Sequence, residues 1–585
     1  MGTRGLKIVR FRGRYYIYYN QFDSYFEGLG AEIVASVPTE PDKYQEWLTS
    51  MRAQYAAKQR ALEQHVYEIR DGSEPDYSFF DELEVLPSEL QRLDDFDAEY
   101  FYIINLDHEV LTINFSIHWQ LGNIPRKDQL WLRAIADSIY PFKPTISLDL
   151  CPQEHMASLA LKLPRRDRKI AYDFDIVTPN MDIAEPRKAF LTSVLARIMI
   201  DYKDTIVRFG REWSPDSFPF RELAFALVSI ASGQAKFHSF PAQPCNPRSC
   251  CIYGCKQKHL PKSSGCLGQE WAGDCAPLLE FGSMSHRPGD PPGTSPMETM
   301  YWHEDVLVSL TLVVDGKAIT NAVAWGINKR RASFQVVVLS LFEVSFADVF
   351  LYDDDEPLVE VSKSVNLSPL RAKYCVSTHP RERPELKPDR EMHRHSGELL
   401  MEPSCIGTEE RLRTLFPGLA VLVNFFQAAA SRRAASKPLV LVPLVNSLAV
   451  TANPSTASKS PVALPSELHD RILDFVDYDT WKTCLVVSPK FRRYCLSKYR
   501  LDNQTSIVAG PFVEYRKFRL KEEPLLSFDF EDMQTGRIFR MMQDQFRFRT
   551  KQYNWMPLIG SDRKALMLDT VVQFEPVQTE TLPPT

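Results

Sequence analysis

The sequence predicts an α+β multidomain protein: N-terminal hairpins and helices, a helical middle region, and a three-helix unit near the C-terminus followed by a small β-rich segment. Alternation of apolar and polar residues around short turns predicts the hairpins. Apolar residues at helical spacing predict the helices. Stretches rich in Pro, Gly and Ser separate these blocks, and 585 residues are enough for several domains of about 100–200 residues each.

Changes in composition and periodicity predict where the domains begin and end. The predicted segments are an N-terminal α+β domain (1–145), a mainly helical domain (146–240), a Cys/Pro/Gly-rich loop or insert (241–300), an α+β region (301–431), a linker (432–463), the three-helix unit (464–500), a C-terminal β-rich segment (501–575) and a disordered tail (576–585).

Two hairpins and one long helix define the N-terminal domain. The first hairpin spans residues 6–20, and an amphipathic helix runs from Asp42 to about Tyr67. A second hairpin is indicated at Tyr100–Ile117, and His118 and Trp119 are expected to end it.

The same patterns predict elements further along the chain. The helix Phe220–Ala231 is almost wholly apolar and must therefore be buried. The residues around Asp315-Gly316 fit either a hairpin turn or helical spacing. The remaining predicted elements are helices at 127–138 and Pro186–Phe209, one or two buried strands at Phe334–Leu351, a helical pattern at 408–431 interrupted at Pro417-Gly418, strands at Ser506–Phe512, Leu525–Phe530 and Met567–Phe574, and a short helix at Arg537–Gln545.

Composition narrows the classes of partner. A net charge of −6 gives no general reason to expect a nucleic acid or an anionic membrane surface as partner. The first residues lack the apolar core of a secretory signal, and the apolar run Pro438–Ala452 is too short and too broken to span a bilayer. A cytoplasmic or nuclear location is therefore expected, with the 11 cysteines mostly reduced.

The N-terminus offers a polar cluster of Thr3, Arg4, Asn20 and Asp23. An enzyme built on this module would need Arg4, Asn20 and Asp23 to share one site, with Thr3 freed as a nucleophile. The alternative is that Asn20 and Asp23 simply satisfy a turn. The opening resembles small MGTRG-type proteins of unknown function from phages, bacteria and fungi, and the block 98–145 resembles a segment of fungal proteins, which implies a fungal source and no chemistry.

The stretch Leu464–Tyr499 predicts three short helices. Pro465 suits a first helical turn, because it has no N–H that needs a partner there. Asp479 is expected to cap the second helix, and Ser488 the third. The apolar face of the first helix is formed by residues at helical spacing, namely Leu468, Ile472, Phe475 and Val476.

This three-helix unit resembles the F-box. The residues that carry the resemblance are Leu464, Pro465, Glu467, Ile472, Leu473, Val487, Ser488, Phe491 and Arg492. The resemblance implies a non-catalytic adaptor that binds a Skp1-like protein of an SCF-type ubiquitin ligase and presents an unknown protein substrate. The residues expected to bind the Skp1-like partner, or to support that interface, are Leu464, Pro465, Ile472, Leu473, Val487 and Phe491. The alternative is that the same helices pack onto residues 500–575 as an ordinary sub-domain.

No cofactor is expected, although the insert is rich in cysteine. Cys251, Cys255, His259 and Cys266 are the candidate ligands if the insert binds zinc, because zinc prefers thiolate and imidazole at such short spacings. The alternative is a variable loop with exposed thiols.

Other chemical signals are weak. The basic and aromatic stretch Arg537–Trp555 fits nucleic-acid stacking less well than amphipathic packing with its arginines at the surface. The chain has no P-loop, G-x-G-x-x-G, H-E-x-x-H or G-x-S-x-G motif. Scattered histidines such as His65, His118 and His303 have no evident nucleophile beside them in sequence and are expected to be structural.

Overall fold

The computed structural model confirms the α+β fold class. It describes residues 2–71, 82–89, 96–115, 117–136, 153–155, 169–203, 205–206, 212–239, 295–331, 333–351, 357–370, 401, 406–436, 465–503, 505–518, 521–543, 553–555, 558–560, 564–567 and 570–573.

The helices and strands are numbered in chain order. The helices are α1 (Ala31–Ser36), α2 (Pro41–Asp71), α3 (Leu130–Ala136), α4 (Pro186–Asp201), α5 (Phe218–Ala231), α6 (Gly316–Asn328), α7 (Glu409–Leu415), α8 (Pro417–Ser436), α9 (Ser466–Phe475), α10 (Tyr478–Cys484) and α11 (Pro489–Ser497). The strands are β1 (Gly5–Phe11), β2 (Arg14–Asn20), β3 (Val85–Ser88), β4 (Tyr100–Asn105), β5 (Val110–Ile113), β6 (Ile117–Gln120), β7 (Asp173–Val177), β8 (Lys236–Ser239), β9 (Met300–His303), β10 (Val306–Leu310), β11 (Ser333–Leu339), β12 (Glu343–Leu351), β13 (Pro357–Ser362), β14 (Val365–Asn366), β15 (Tyr499–Arg500), β16 (Thr505–Phe518), β17 (Lys521–Asp532), β18 (Arg537–Gln543), β19 (Tyr553–Trp555), β20 (Leu558–Gly560), β21 (Lys564–Met567) and β22 (Thr570–Gln573).

The N-terminal sheet has six strands in the order β3-β2-β1-β4-β5-β6. Both predicted hairpins and the long helix α2 are confirmed, and β1 also pairs in parallel with β4. The prediction that His118 and Trp119 end the second hairpin is wrong. Both lie in β6, where Trp119 is fully buried opposite Leu111, so pairing with β5 extends the hairpin into a third antiparallel strand.

A second sheet of seven strands follows the order β7-β13-β12-β11-β10-β9, with β14 beside β12. The strands β10 and β11 are parallel, and α6 forms the crossover between them. Helical spacing therefore prevails around Asp315-Gly316, where the Asp315 side chain accepts a hydrogen bond from the Ala318 N–H and caps α6. The apolar run at 334–351 forms two strands, β11 and β12.

A layer of helices lies between these two sheets. All fourteen residues of α5 are buried, as its apolar composition predicts, and α4 and α8 pack in the same core. That core also includes Leu6 and Ile8 from the N-terminal sheet and Val308 and Val337 from the second sheet. Helix α2 covers the outer face of the first sheet, and α6 covers the outer face of the second.

The C-terminal part adds the three-helix unit, a five-stranded sheet (β15-β16-β17-β18-β19) and a four-stranded sheet (β20-β21-β22-β8). The predicted helix at Arg537–Gln545 is wrong. Residues Arg537–Gln543 form β18, because they pair antiparallel with β17 through residues 527–532. Short apolar runs fit both periodicities, and the neighbouring strand decides between them.

The core crosses the domain boundaries drawn from the sequence. Strand β7, from the expected helical domain 146–240, pairs with β13 of the region 301–431, and β8 from the same domain pairs with β22 near the C-terminus. Phe190 of α4 stacks edge-on against Phe528 of β17 with ring centroids 5.5 Å apart. The range 146–240 is therefore not a separate helical domain in the described residues, because its helices and strands complete structures built by later segments.

Among the described helices, none alone has the length and apolar composition needed to cross a bilayer. The consecutive helices that begin at Glu409 and Pro417 meet those criteria only as a pair, and they bend by 96° at their junction.

Candidate functional site

The first helix of the three-helix unit, α9, presents apolar side chains to solvent. Leu468, Ile472 and Phe475 are 45%, 51% and 87% exposed. Their spacing places all three on one side of the helix, which we call the exposed face of α9. Leu473 lies on the other side and is only 3% exposed. An amphipathic helix normally buries its apolar stripe, so α9 has one face in the core and a second apolar face without cover in the described residues.

The remaining predicted interface residues fall into different environments. Pro465 precedes α9 and is exposed, and Val487, after α10, is 38% exposed. Phe491 is half-buried against the central core, and Leu473 is part of that core. Leu473, which was expected either to bind the partner or to support that interface, lies in the core and anchors α9. Leu464 lies outside the described residues.

Inward-facing aromatic and apolar side chains attach the three-helix unit to the body. These are Leu473, Tyr478, Trp481, Leu485, Cys495 and Tyr499, which all belong to the central core. Trp481 packs against Tyr478 and Tyr499, with each pair of ring centroids 5.6 Å apart. Burial raises the pKa of the Cys495 thiol to about 12, as expected for a packed rather than a reactive cysteine.

Helix caps fix the orientation of the three helices. Ser488 caps α11 as predicted, accepting from the Phe491 N–H at 3.2 Å. The cap of α10 is Asp477, which accepts from the Thr480 N–H at 2.7 Å, and Asp479 lies in the first turn instead. The predicted cap, Asp479, is two residues too late, because either aspartate can accept from N–H groups at the start of the helix.

Arg500 fixes the end of α9. Its guanidinium donates to the carbonyl oxygens of Leu473 and Asp474 at 2.8 and 2.9 Å, and to that of Val476. These are carbonyls that a helix C-terminus leaves without intrahelical partners, and a cation there also complements the helix dipole. The exposed face of α9 is therefore held in place before any partner binds.

Polar groups surround the exposed face. Glu467, Arg471 and Asp474 on α9 are exposed, and Asp474 accepts a hydrogen bond from the Tyr494 hydroxyl at 2.7 Å. Burial, followed by this hydrogen bond, raises the pKa of Tyr494. An apolar centre with a charged rim is the usual anatomy of a protein-binding surface.

Arg4, Asn20 and Asp23 of the N-terminal polar cluster each have a structural partner. Arg4 makes an ion pair with Asp97, while Asn20 donates to the Ser24 hydroxyl at 2.8 Å and to the Phe22 carbonyl. Asp23 adopts a left-handed backbone with φ 53°, and its carbonyl accepts from the Leu29 N–H at 2.9 Å. Asn20 and Asp23 thus stabilise a turn, which was the alternative expectation.

Among the described residues, no group of His, Cys, Asp and Glu has the arrangement to hold a metal ion. The candidate zinc ligands Cys251, Cys255, His259 and Cys266 lie outside those residues.

In β18, Arg540 has acidic partners. Arg540 forms ion pairs with Asp529 at 2.6 Å and Glu514 at 3.1 Å. These pairs fit the surface-packing interpretation of the stretch Arg537–Trp555 better than contact with a phosphate backbone.

The structure does bring one serine to a histidine, a pairing that the sequence did not reveal because 70 residues intervene. The Ser232 Oγ lies 2.8 Å from His303 Nε2 and 3.1 Å from the Ser229 carbonyl oxygen. The Ser232 hydroxyl donates to the Ser229 carbonyl oxygen, so the His303 imidazole donates to the Ser232 oxygen. A general base would instead accept the proton of the serine hydroxyl. Burial, followed by the charges of Arg433 and Lys482, lowers the pKa of His303 to about 3. The pair is therefore structural.

Comparison with family models, with curated proteins and with solved structures found no match for this chain. The assignment of a function therefore rests on the geometry of the exposed face of α9 and on the groups that hold it.

Proposed function

We propose that the chain is an F-box-like substrate-recognition adaptor that binds a Skp1-like protein of an SCF-type ubiquitin ligase. The chain itself performs no chemistry in this proposal. The body, which contains both large sheets and the helices between them, binds the protein substrate.

The exposed face of α9 is the observation that carries the proposal. Fully burying a Leu, Ile or Phe side chain contributes about 1.5–3 kcal/mol, so three partly exposed side chains supply a few kcal/mol. A micromolar complex needs about 8 kcal/mol. The face of α9 is therefore an anchor, and additional contacts at positions such as Pro465 and Val487 are needed for stable binding.

Preorganisation favours binding at this surface. The caps at Asp477 and Ser488 and the contacts of Arg500 with the end of α9 fix the backbone that presents Ile472 and Phe475. A partner then loses less free energy to ordering of the chain, and an apolar helix face suits insertion into a hydrophobic groove.

A second candidate function is an interaction scaffold whose three helices pack internally without a Skp1-like partner. The observation that favours it is the shared core: Trp481, Cys495 and Tyr499 join the body directly, and β15 at the end of the unit pairs with β16. This packing uses the inner side of the unit and leaves the exposed face of α9 unoccupied, so it does not account for that face.

The test is binding of the full chain to a purified Skp1-like protein, measured by calorimetry. Ile472→Gln removes an apolar contact from the exposed face of α9 without touching the core. We expect the dissociation constant to rise at least tenfold, which corresponds to about 1.4 kcal/mol.

The matched control is Ile538→Gln on β18, because Ile538 is 59% exposed and lies outside the three-helix unit. Its dissociation constant should equal that of the unchanged chain. Absence of binding by the unchanged chain, or equal weakening by both variants, would reject the adaptor function and leave the scaffold.

A further inference from the structure

A cavity of about 400 Å³ lies where the three-helix unit meets the body. Its walls come from α4, the turn after α5, the end of α8, and the helices α10 and α11. It is distinct from the exposed face of α9, since Leu468, Ile472 and Phe475 do not line it. We call it the seam cavity.

Positive charge dominates the seam cavity. Four cationic side chains line it against two carboxylates, those of Glu304 and Asp479. The cations come from four separate elements, and they are Arg187, Arg433, Lys482 and Arg492. Collecting like charges around one space is unfavourable unless something compensates for them.

Two of these cations are deeply buried and form no ion pair with a carboxylate among the described residues. Arg187 is 5% exposed, and Arg492 is 6% exposed. Arg492 donates to neutral acceptors only, the Ser431 hydroxyl at 3.1 Å and two backbone carbonyls. Arg187 donates to the Gln427 side-chain oxygen at 2.9 Å, and its Nε is a buried donor without an acceptor in the described part of the chain.

These positive charges lower the pKa values of neighbouring basic groups. Burial, followed by repulsion from Arg187 and Arg433, lowers the pKa of Arg492 to about 10. The same Arg433, with Lys482, adds to the lowering of the His303 pKa. An internal ion pair compensates in part, because Arg433 lies 2.7 Å from Glu304. The Glu304 carboxylate also partly offsets the charge of Arg492, but neither Arg187 nor Arg492 forms an ion pair of its own with a carboxylate among the described residues.

We propose that the seam cavity binds the phosphate group of a phosphate monoester. Guanidinium groups donate in a fork that matches the oxygens of a phosphate, and a doubly charged oxyanion would offset the excess positive charge. On the same measure of volume one water molecule needs about 10–15 Å³, so 400 Å³ exceeds what a phosphate ion alone would fill and leaves space for part of an organic substituent. This proposal stands independently of Skp1 binding.

The test measures binding of inorganic phosphate and of O-phosphoserine to the full chain by calorimetry, at an ionic strength held constant with sodium chloride. We expect saturable binding of at least one of these probes. Serine without its phosphate should not bind. Affinity for inorganic phosphate alone would identify free phosphate as the ligand, and tighter binding of O-phosphoserine would identify the ester.

Two variants test the position of the site. Lys482→Gln removes a half-buried cation from the seam cavity, and Thr483→Glu adds a carboxylate to its exposed rim without removing any cation. Each should weaken binding of the probes at least tenfold. The matched control is Lys490→Gln, because Lys490 is an exposed lysine of the same three-helix unit that does not line the cavity.

Absence of saturable binding of either probe would overturn the proposal. It would also be overturned if Lys490→Gln weakened binding as much as Lys482→Gln and Thr483→Glu, since the effect would then come from overall charge. Retention of full affinity in both cavity variants would place the anion elsewhere.

Discussion

The N-terminal sheet and the three-helix unit differ in whether their most distinctive side chains have partners within the chain. Beneath the sheet, the Glu212 carboxylate accepts from the Tyr15 hydroxyl at 2.7 Å and from the Asn105 amide at 3.1 Å, and lies 3.4 Å from the Arg10 guanidinium. In the three-helix unit, by contrast, apolar side chains of α9 remain in solvent. The Glu212 carboxylate is satisfied by groups within the chain, whereas the apolar side chains on the exposed face of α9 are not covered by the described residues.

This contrast separates side chains that stabilise the fold from side chains that are available to a partner. Polar residues near the N-terminus invite a catalytic interpretation, yet each has an internal partner that explains its presence. Burial, and then the adjacent Glu212 carboxylate, hold the pKa of Tyr15 well above its ordinary value, so its hydroxyl remains a hydrogen-bond donor. The exposed face of α9 has no such internal explanation in the described residues, which makes it the better indicator of a partner.

The largest effect is expected from removing the centre of the buried polar network. Glu212→Ala would leave Arg10, Tyr15 and Asn105 without a shared acceptor. Arg10 keeps its ion pair with Asp107. The Tyr15 hydroxyl and the Asn105 amide each lose a buried acceptor at about 1–3 kcal/mol, so strand β1 should lose about 2–6 kcal/mol of stability in native-state hydrogen exchange.

The control for this loss is Glu46→Ala, which removes an exposed carboxylate of α2 and should change the same exchange rates by less than about 0.5 kcal/mol. If Glu212→Ala were as mild as the control, the network would not stabilise the sheet and the contrast with the three-helix unit would fail.

A smaller effect is expected from two leucines on opposite sides of α9. Leu473→Ala empties a buried site and should destabilise the three-helix unit by about 2–5 kcal/mol. Leu468→Ala shortens an exposed side chain and should change stability by less than about 0.5 kcal/mol, because little core contact is lost. Hydrogen exchange of the α11 amides measures both.

Leu468→Ala is the more informative of the two variants because it should weaken binding of a Skp1-like partner while stability is kept. Equal losses of stability in both variants would mean that the exposed face of α9 packs within the chain, contrary to the structure.

Local elements could be predicted well from the sequence because their periodicity is local. The hairpin at residues 6–20 and the helix α2 carry many repeats of one pattern, and both are observed. The strand β18 was mistaken for a helix because its few residues fit both patterns and only pairing with β17 decides.

Strand β1 has buried residues on both faces, which signals cover on both sides but does not identify the covering segments. The core shared between distant segments follows from that limit.

The candidate site was predictable only in part. The spacing of Leu468, Ile472 and Phe475 identifies a common face, but it does not show whether that face meets the core or solvent. The seam cavity was not predicted at all, because Arg187, Arg433, Lys482 and Arg492 are far apart in sequence and each alone resembles an ordinary surface cation. Such a cluster is visible only after the chain has folded.

The smallest effect is expected at His303 of β9, near the boundary between the three-helix unit and the body. His303 has its pKa lowered to about 3, against about 6.5 in the unfolded chain, so between these values the unfolded chain binds more protons. Stability contributed by neutral His303 is complete above pH 6.5 and declines as the pH falls toward 3, at up to about 1.4 kcal/mol per pH unit.

His303→Asn should flatten this part of the curve of stability against pH. The measurement is hydrogen exchange of the α5 amides between pH 6.5 and 4.5, after correction for intrinsic exchange. An unchanged slope in His303→Asn would mean that groups elsewhere control acid unfolding, and that the cations of the seam cavity do not act on this imidazole.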